Sequence, residues 1–482
     1  MRLKSRNILD NNELSFMKSM FSTESISGDE CEILTWIKEQ SNKISVTVER
    51  INLNNIDNWN FNKENGCINH ATGHFFSIEG IEVSTNWGVI NKWDQPIISQ
   101  PEIGYLGFIV KEFKGVLHFL MQAKIEPGNI NYVQLSPTIQ ATKSNYSQVH
   151  NGSKTPYLDY FKNVRNEDVL LDQLHSEQGS RFLKKRNRNI IINVENNIEL
   201  LDNYIWVTLG QIKNLMKYDN IVNMDTRTII SCINYGNYDL NTITLFDHIL
   251  SMKLKHSHLK FEFMKSALID DAYTNDVNEI IHQITKNKSK YDLQIKNKSL
   301  YDLQNWLIKP DEIVREDGKF FKVIAVSVSI SNREVKTWQQ PMIQPSQTGL
   351  CAFVCKRING VMHFLVQLKI ECGNRDIVEL APTIQCITGD YKLNDSQPVP
   401  FLDTVLNSKK ENIFIDTLQS EEGGRFYQEN NRNIIVIVDD NEVINIPDNF
   451  IWMTLNQLSY FNRFNNYLNI QARNLISTIN FI

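Results

Sequence analysis

One long stretch of this chain occurs twice. HFLMQAKIEPGN at 118–129 returns as HFLVQLKIECGN at 363–374, and LSPTIQ at 135–140 returns as LAPTIQ at 380–385. Upstream, GHFFSIEGIEV (73–83) pairs with GKFFKVIAVSV (318–328) and WDQP (93–96) with WQQP (338–341). Downstream, SEQGSRF (176–182) pairs with SEEGGRF (420–426), NRNII (187–191) with NRNII (431–435), and IWVTL (205–209) with IWMTL (451–455). The offset stays between 244 and 247 residues, far above the period of roughly 20–50 residues of a solenoid. A whole domain has therefore been duplicated, over 59–231 and 304–482. Residues 1–58 read as a helical lead-in and 232–303 as a helical connector, the latter holding the near-repeat KNKSKYDLQ (286–294) and KNKSLYDLQ (296–304).

Each copy starts with strand signals. FFSIEGIEV and GVLHFLMQAKI, like FFKVIAVSV and GVMHFLVQLKI, are rich in Val, Ile and Phe and are bounded by Gly. VLLDQLHSEQG (169–179) and IFIDTLQSEEG (413–423) are read as helices closed by Gly179 and Gly423. A further strand (NIIINVE, NIIVIVD) and a short helix after Trp206 or Trp452 follow. The fold class is α+β, a mixed sheet with flanking helices built twice.

Composition bounds the function. The 482 residues are 41% apolar and 22% charged, with a net charge of −5. No basic run suited to a phosphate backbone occurs, so nucleic acid is a poor partner. No apolar stretch long enough for a signal peptide or a membrane span occurs, so a cytoplasmic protein is expected. Seven cysteines, an odd number without C-x-x-C, do not form a disulfide framework. His70-x-x-x-His74 and the HSH at 256–258 lack further ligands close in sequence, so no metal site is expected.

The richest polar cluster lies between 122 and 150. On a regular strand, Gln122, Lys124 and Glu126 share one face, and Ser136, Thr138, Gln140, Thr142, Ser144, Asn145, Tyr146 and His150 follow. The trio recurs as Gln367, Lys369 and Glu371, with Thr383, Gln385 and Tyr391 behind it. A wet pocket and a solvated sheet face both fit this pattern. Recurrence favours the pocket. Past the SEQG turn come Arg181, Lys184, Lys185, Arg186 and Arg188, whereas the second copy keeps Arg425 and Arg432 and places Gln428 and Glu429 where the first is basic. Guanidinium groups fork phosphate oxygens, although a solvated basic turn reads the same way. Trp93 with Gln95, and Trp338 with Gln340, are candidates to hold a base, or else core tryptophans.

Three runs carry a resemblance to a known family: QPEIGYLGFIVKEFKGVLHFLMQAKIEPGNINYVQLSPTIQATKSNYSQVHNG (100–152), SEQGSRFLKKRNRN (176–189) and VNMDTRT (222–228). They resemble the NDP-hexose 2,3-dehydratases, over nearly the whole chain. The resemblance implies two Nudix-like domains per subunit, a homodimer, and a dTDP-linked 4-keto-6-deoxyhexose as substrate, and dehydration of such a sugar needs no redox cofactor, so no cofactor is expected. It also implies that an NAD(P)H-dependent 3-ketoreductase takes the product. The glutamate spacing of a working Nudix box is missing from both copies, which counts against a hydrolase.

The implied chemistry sets what the residues must supply. The C3 proton of a 4-keto sugar is acidified by the carbonyl; its loss gives an enolate that expels the C2 hydroxyl. A base, an acid and donors to the C4 oxygen are needed. Lys124, Glu126, Tyr146, His150 and Glu177 are the acid–base candidates, with roles left open. The first copy keeps SNYSQVH and KKRNRN, so it is expected to carry the chemistry. The second copy is expected to bind nucleotide without turnover or to serve the dimer. A diverged nucleotide-sugar hydrolase and a non-catalytic binding module are the competing readings.

Overall fold

The computed structural model describes residues 11–143, 155–253, 258–331, 335–387 and 399–482. Among these residues the strands form four sheets, two large and two small, and each kind occurs once per copy. The large sheet of the first copy runs Val169–Ser176, Arg186–Asn193, Gly104–Phe113, Val116–Ile125, Tyr204–Thr208, with two short strands added. Arg186–Asn193 lies parallel to Gly104–Phe113 and the other pairs are antiparallel. The second copy repeats the order through Ile413–Ser420, Asn430–Ile437, Gly349–Ile358, Val361–Ile370 and Phe450–Thr454. The mixed α+β class and the internal duplication are therefore plain in the architecture.

The long apolar strands are buried on both faces, which explains their near-continuous hydrophobic runs. In Val116–Ile125, Phe119 and Met121 enter one core while Leu120 enters another. Phe364 and Val366 of the second copy join the same core as Phe119, and Leu365 turns to a separate one. That shared core, closed by helices, lies between the two large sheets.

Two sequence expectations are corrected here. Residues 169–176 and 413–420 are strands, not helices. Each pairs antiparallel with the strand that follows it, and that long-range pairing overrides the local pattern. Gly179 and Gly423 are not helix caps. They lie where a Cβ would collide with Asn374 and Asn129, respectively, of the opposite copy.

The proposed lead-in and connector are also not simply helical. Helix Glu30–Asn42 is followed by strand Val46–Ile51, and helix Val277–Lys290 by strand Leu293–Lys298, an identical layout. These strands are exchanged. Val46–Ile51 pairs with Phe321–Ile330 of the second copy, and Leu293–Lys298 pairs with Ser77–Thr85 of the first. Helices Asn11–Met20 and His258–Leu268 are equivalent too: Ser19 Oγ donates to Leu117 O and Ser266 Oγ to Met362 O. The repeat thus extends back through both segments.

Candidate active site

A cavity of about 710 Å³ opens beside the first large sheet, within the size range of small-molecule sites. Strand Val116–Ile125 supplies its floor. Gln122 and Lys124 point the same way by period two, and Glu126 follows at the turn. Gln140, on Ile139–Ala141, donates from Nε2 to Glu126 Oε1 at 2.7 Å and accepts from Asn223 Nδ2 at 3.0 Å. Lys124 Nζ stands 3.6 Å from the same carboxylate oxygen and donates to Gln140 O at 3.3 Å. One carboxylate oxygen is thus held by an amide and an ammonium, an arrangement that orients it toward the cavity.

The second wall comes from the strand pair beyond. Glu177 follows Val169–Ser176 and accepts from Asn187 Nδ2 at 2.7 Å. Burial raises its carboxyl above the usual range, against the opposing pull of Arg473 and Lys185. Lys185 donates to Glu102 O, and burial lowers its ammonium to about 8.

The third wall belongs to the second copy. Trp338 Nε1 donates to Gln340 Oε1 at 2.8 Å, and Gln340 Nε2 to Gly424 O at 2.8 Å, so both side chains are fixed at the rim. Arg425 lies over the Phe76 ring at 4.2 Å and reaches Gln100 Oε1 at 3.3 Å. The turn carrying Arg425 crosses to the first copy through Gly128: Gly128 N donates to Gly423 O at 2.8 Å, and Gln428 N to Gly128 O at 2.6 Å. A Cβ on Gly128 would overlap Phe426 O, which is why glycine stands there.

The cavity therefore gathers Gln122, Lys124, Glu126, Thr138, Gln140, Thr142, Glu177 and Lys185 with Trp338, Gln340 and Arg425. Thr138 is there as a staple: its hydroxyl donates to Leu120 O at 2.5 Å and accepts from Ile109 N at 2.9 Å. Trp93 and Gln95 do not line it. They sit at the equivalent place on the other side, where Gln95 Nε2 donates to Ser180 O, near Arg181 stacked on Phe321. Gln367, Lys369, Thr383 and Gln385 belong to that side as well. Ser136 is fully buried and Arg186 also stands off the cavity. Arg188 and Arg432 are each held bidentate by an aspartate, Asp172 and Asp416. Ser144, Asn145, Tyr146, His150 and Tyr391 lie outside the described residues.

Three lining acids escape the sequence reading: Asp202, whose backbone carbonyl accepts from Gln40 Nε2, and Asp225 and Glu422. Asp225 is 3% exposed. Burial, then Glu177, Glu126 and Glu422, drive its carboxyl well above the usual range. Glu422 is half-buried by its own surface yet ringed by protein, which pushes it to about 7 against the pull of Arg425. Comparing the copies would have found the last two: Asp225 in VNMDTRT stands where the second copy has Gln471, and Glu422 in SEEG where the first has Gln178. No three His, Cys, Asp or Glu among the described residues are grouped to hold a metal ion, and no described helix is long and apolar enough to cross a membrane.

Comparison with known proteins accords with this duplication. A family model described as NDP-hexose 2,3-dehydratase matches residues 30–233 and again 277–479. A dTDP-4-dehydro-6-deoxy-alpha-D-glucopyranose 2,3-dehydratase of Saccharopolyspora spinosa is 41% identical, over 97% of this chain and 95% of its own length. Proteins with the same description from Amycolatopsis orientalis and Streptomyces violaceoruber are each 38% identical, over 93% and 92% of this chain and 90% and 95% of their own.

Proposed function

Because the chain belongs to the NDP-hexose 2,3-dehydratase family, we propose that it removes water across C2–C3 of a nucleotide-linked 4-keto-6-deoxyhexose. The donor is dTDP-4-keto-6-deoxyglucose and the product a 3,4-diketo-2,6-dideoxy sugar. The observation that carries this reading is a cavity in which the carboxylates of Glu126, Glu177, Asp225 and Glu422 converge with the ammonium groups of Lys124 and Lys185.

Glu126 is the base for the C3 proton, since its Oε1 is anchored and its Oε2 meets no donor among the described residues. Lys124 faces the C4 oxygen as negative charge collects there, and Lys185 meets the diphosphate. Arg425 forks the diphosphate and Trp338 stacks on the base, so both copies build one site. The surroundings of Lys369 and Glu371 bind nucleotide without turnover. We read each large-sheet unit as Nudix-like and the active form as a cytoplasmic homodimer, in keeping with seven free cysteines. A 3-ketoreductase using NAD(P)H then consumes the diketone, a reactive product.

Incubation with dTDP-4-keto-6-deoxyglucose, in EDTA or magnesium, tests this directly. Loss of one water from the sugar nucleotide, seen by mass before any reduction, is expected in both buffers. Release of nucleoside monophosphate only with magnesium would replace the lyase by a hydrolase, and unchanged substrate would leave a binding module.

A further inference from the structure

Subtracting one copy from the other separates scaffold from chemistry. Gln140 bonds Glu126 at 2.7 Å, and Gln385 bonds Glu371 at 2.9 Å. Asn223 holds Gln140 at 3.0 Å, as Asn469 holds Gln385 at 2.7 Å. Asn187 caps Glu177, as Asn431 caps Glu421. Everything in this network is present in both centres, so none of it distinguishes a reacting centre from a silent one.

Among the acids and lysines lining the cavity, three differ: the second copy has Gln471 at the place of Asp225, the first has Gln178 at the place of Glu422, and Glu429 stands at the place of Lys185. In the second centre Gln178 is tied to Glu421 at 2.6 Å, while Gln471 and Glu429 leave side-chain atoms buried without partners. The first centre has two carboxyl groups that the second lacks.

Asp225 is placed by its helix, Met224–Ser231. Asn223 caps this helix, accepting from Thr226 N at 2.9 Å, and its amide group also grips Gln140. The cap thus fixes Asp225 against the cavity beside the Glu126 network. The Asp225 carboxyl accepts no hydrogen bond and joins no ion pair among the described residues, although it is almost wholly enclosed. An enclosed carboxyl of this kind is more stable with its proton on. Its charged neighbours include three that oppose a negative charge, Glu177 from the strand wall, Glu126 from the floor and Glu422 from the second copy, and two that favour one, Lys124 and Arg227.

We propose that Asp225 is the acid that protonates the departing C2 oxygen, and that Glu422 of the second repeat returns its proton. This rests on the dehydration proposed above. The base takes the C3 proton and the C3–H electron pair moves into the enolate. The pair then returns, the C2–O bond breaks, and the oxygen leaves as water with the proton of Asp225. Glu422 reprotonates Asp225 and is itself recharged from solvent, which receives the proton taken by the base. The enol becomes the 3-ketone as C2 gains a proton and the C3 hydroxyl loses one.

A leaving group that needs no proton isolates this step. Wild type, Asp225→Asn and Asp225→Glu are given dTDP-4-keto-6-deoxyglucose and its 2-deoxy-2-fluoro analogue, which yield the same enol. In Asp225→Asn, water loss is expected to fall at least ~100-fold, and fluoride release by less than about tenfold. Asp225→Glu is expected to recover part of the water loss. In wild type kcat falls as the pH rises and Asp225 ionises, and this alkaline limb disappears in Asp225→Asn. The ratio of the two rates is internal to each preparation, so partial unfolding lowers both and leaves it unchanged. Equal loss on both substrates would overturn the assignment. A wild type that processes neither would sink the dehydration itself, and the assignment with it.

Discussion

Lys185 and Arg188 belong to one basic run, yet their surroundings give them different work. Arg188 spends its fork on Asp172, at 2.5 and 2.7 Å, on a partly exposed sheet edge. Replacing it by Ala is expected to leave KM unchanged and to cost up to about 1 kcal/mol of stability, read by urea denaturation. Lys185 is buried beside Glu177, and its ammonium titrates at about 8. Its positive charge is present below that pH and lost above it. KM for the nucleotide sugar is therefore expected to rise as pH passes 8, and Lys185→Met should remove that rise. Glu126 and Glu371 form the other informative pair, since each is gripped by its own glutamine. Glu126→Gln is expected to lower kcat at least ~100-fold, whereas Glu371→Gln leaves it within about twofold. Equal losses in steady-state assays would remove the distinction between the copies.

Elements in this protein answer to their partners more than to their own letters. KNKSKYDLQ begins in helix Val277–Lys290 and ends on the exchanged strand, while KNKSLYDLQ covers the end of that strand and a 3-10 turn at Leu300–Asp302. Nearly the same sequence thus takes different conformations ten residues apart, because one copy caps a helix and the other meets the edge of Ser77–Thr85. The strands at 169–176 and 413–420, helical by local pattern, follow the same rule through their pairing with the next strand. Thr138 shows the converse, a polar residue that resembles a ligand contact and serves an element. Its hydroxyl ties Ile109 N to Leu120 O across the sheet. Thr138→Val leaves both groups buried and unmatched, so a loss of about 1–3 kcal/mol is expected in denaturant titration, with KM little changed.

At the scale of the molecule, neither copy is complete alone. The first small sheet needs Leu293–Lys298, the second needs Val46–Ile51, and the cavity needs Trp338, Glu422 and Arg425. Buried arginines lock the exchange: Arg227 donates to Ser420 O and Arg473 to Ser176 O. Residues 1–256 produced alone are therefore expected to be insoluble or inactive. Produced together with 257–482, the halves should co-purify and lose water from the sugar nucleotide. Turnover by the first half alone would show that the second copy adds nothing to the site.

The amino-acid sequence by itself determined the duplication, the α+β class, the family and the lysine–glutamate floor of the cavity. Those follow from repetition and short-period patterning, which are visible along the chain. The origin of the third wall was decided by tertiary structure, because a glycine turn from one copy fits against a glycine turn of the other. So was the upward shift of the carboxyl of Asp225, a residue unremarkable in VNMDTRT. Its character comes from the enclosure around it and then from three carboxylates drawn from separate parts of the chain. Burial and proximity are sums over distant segments, and no local reading contains them.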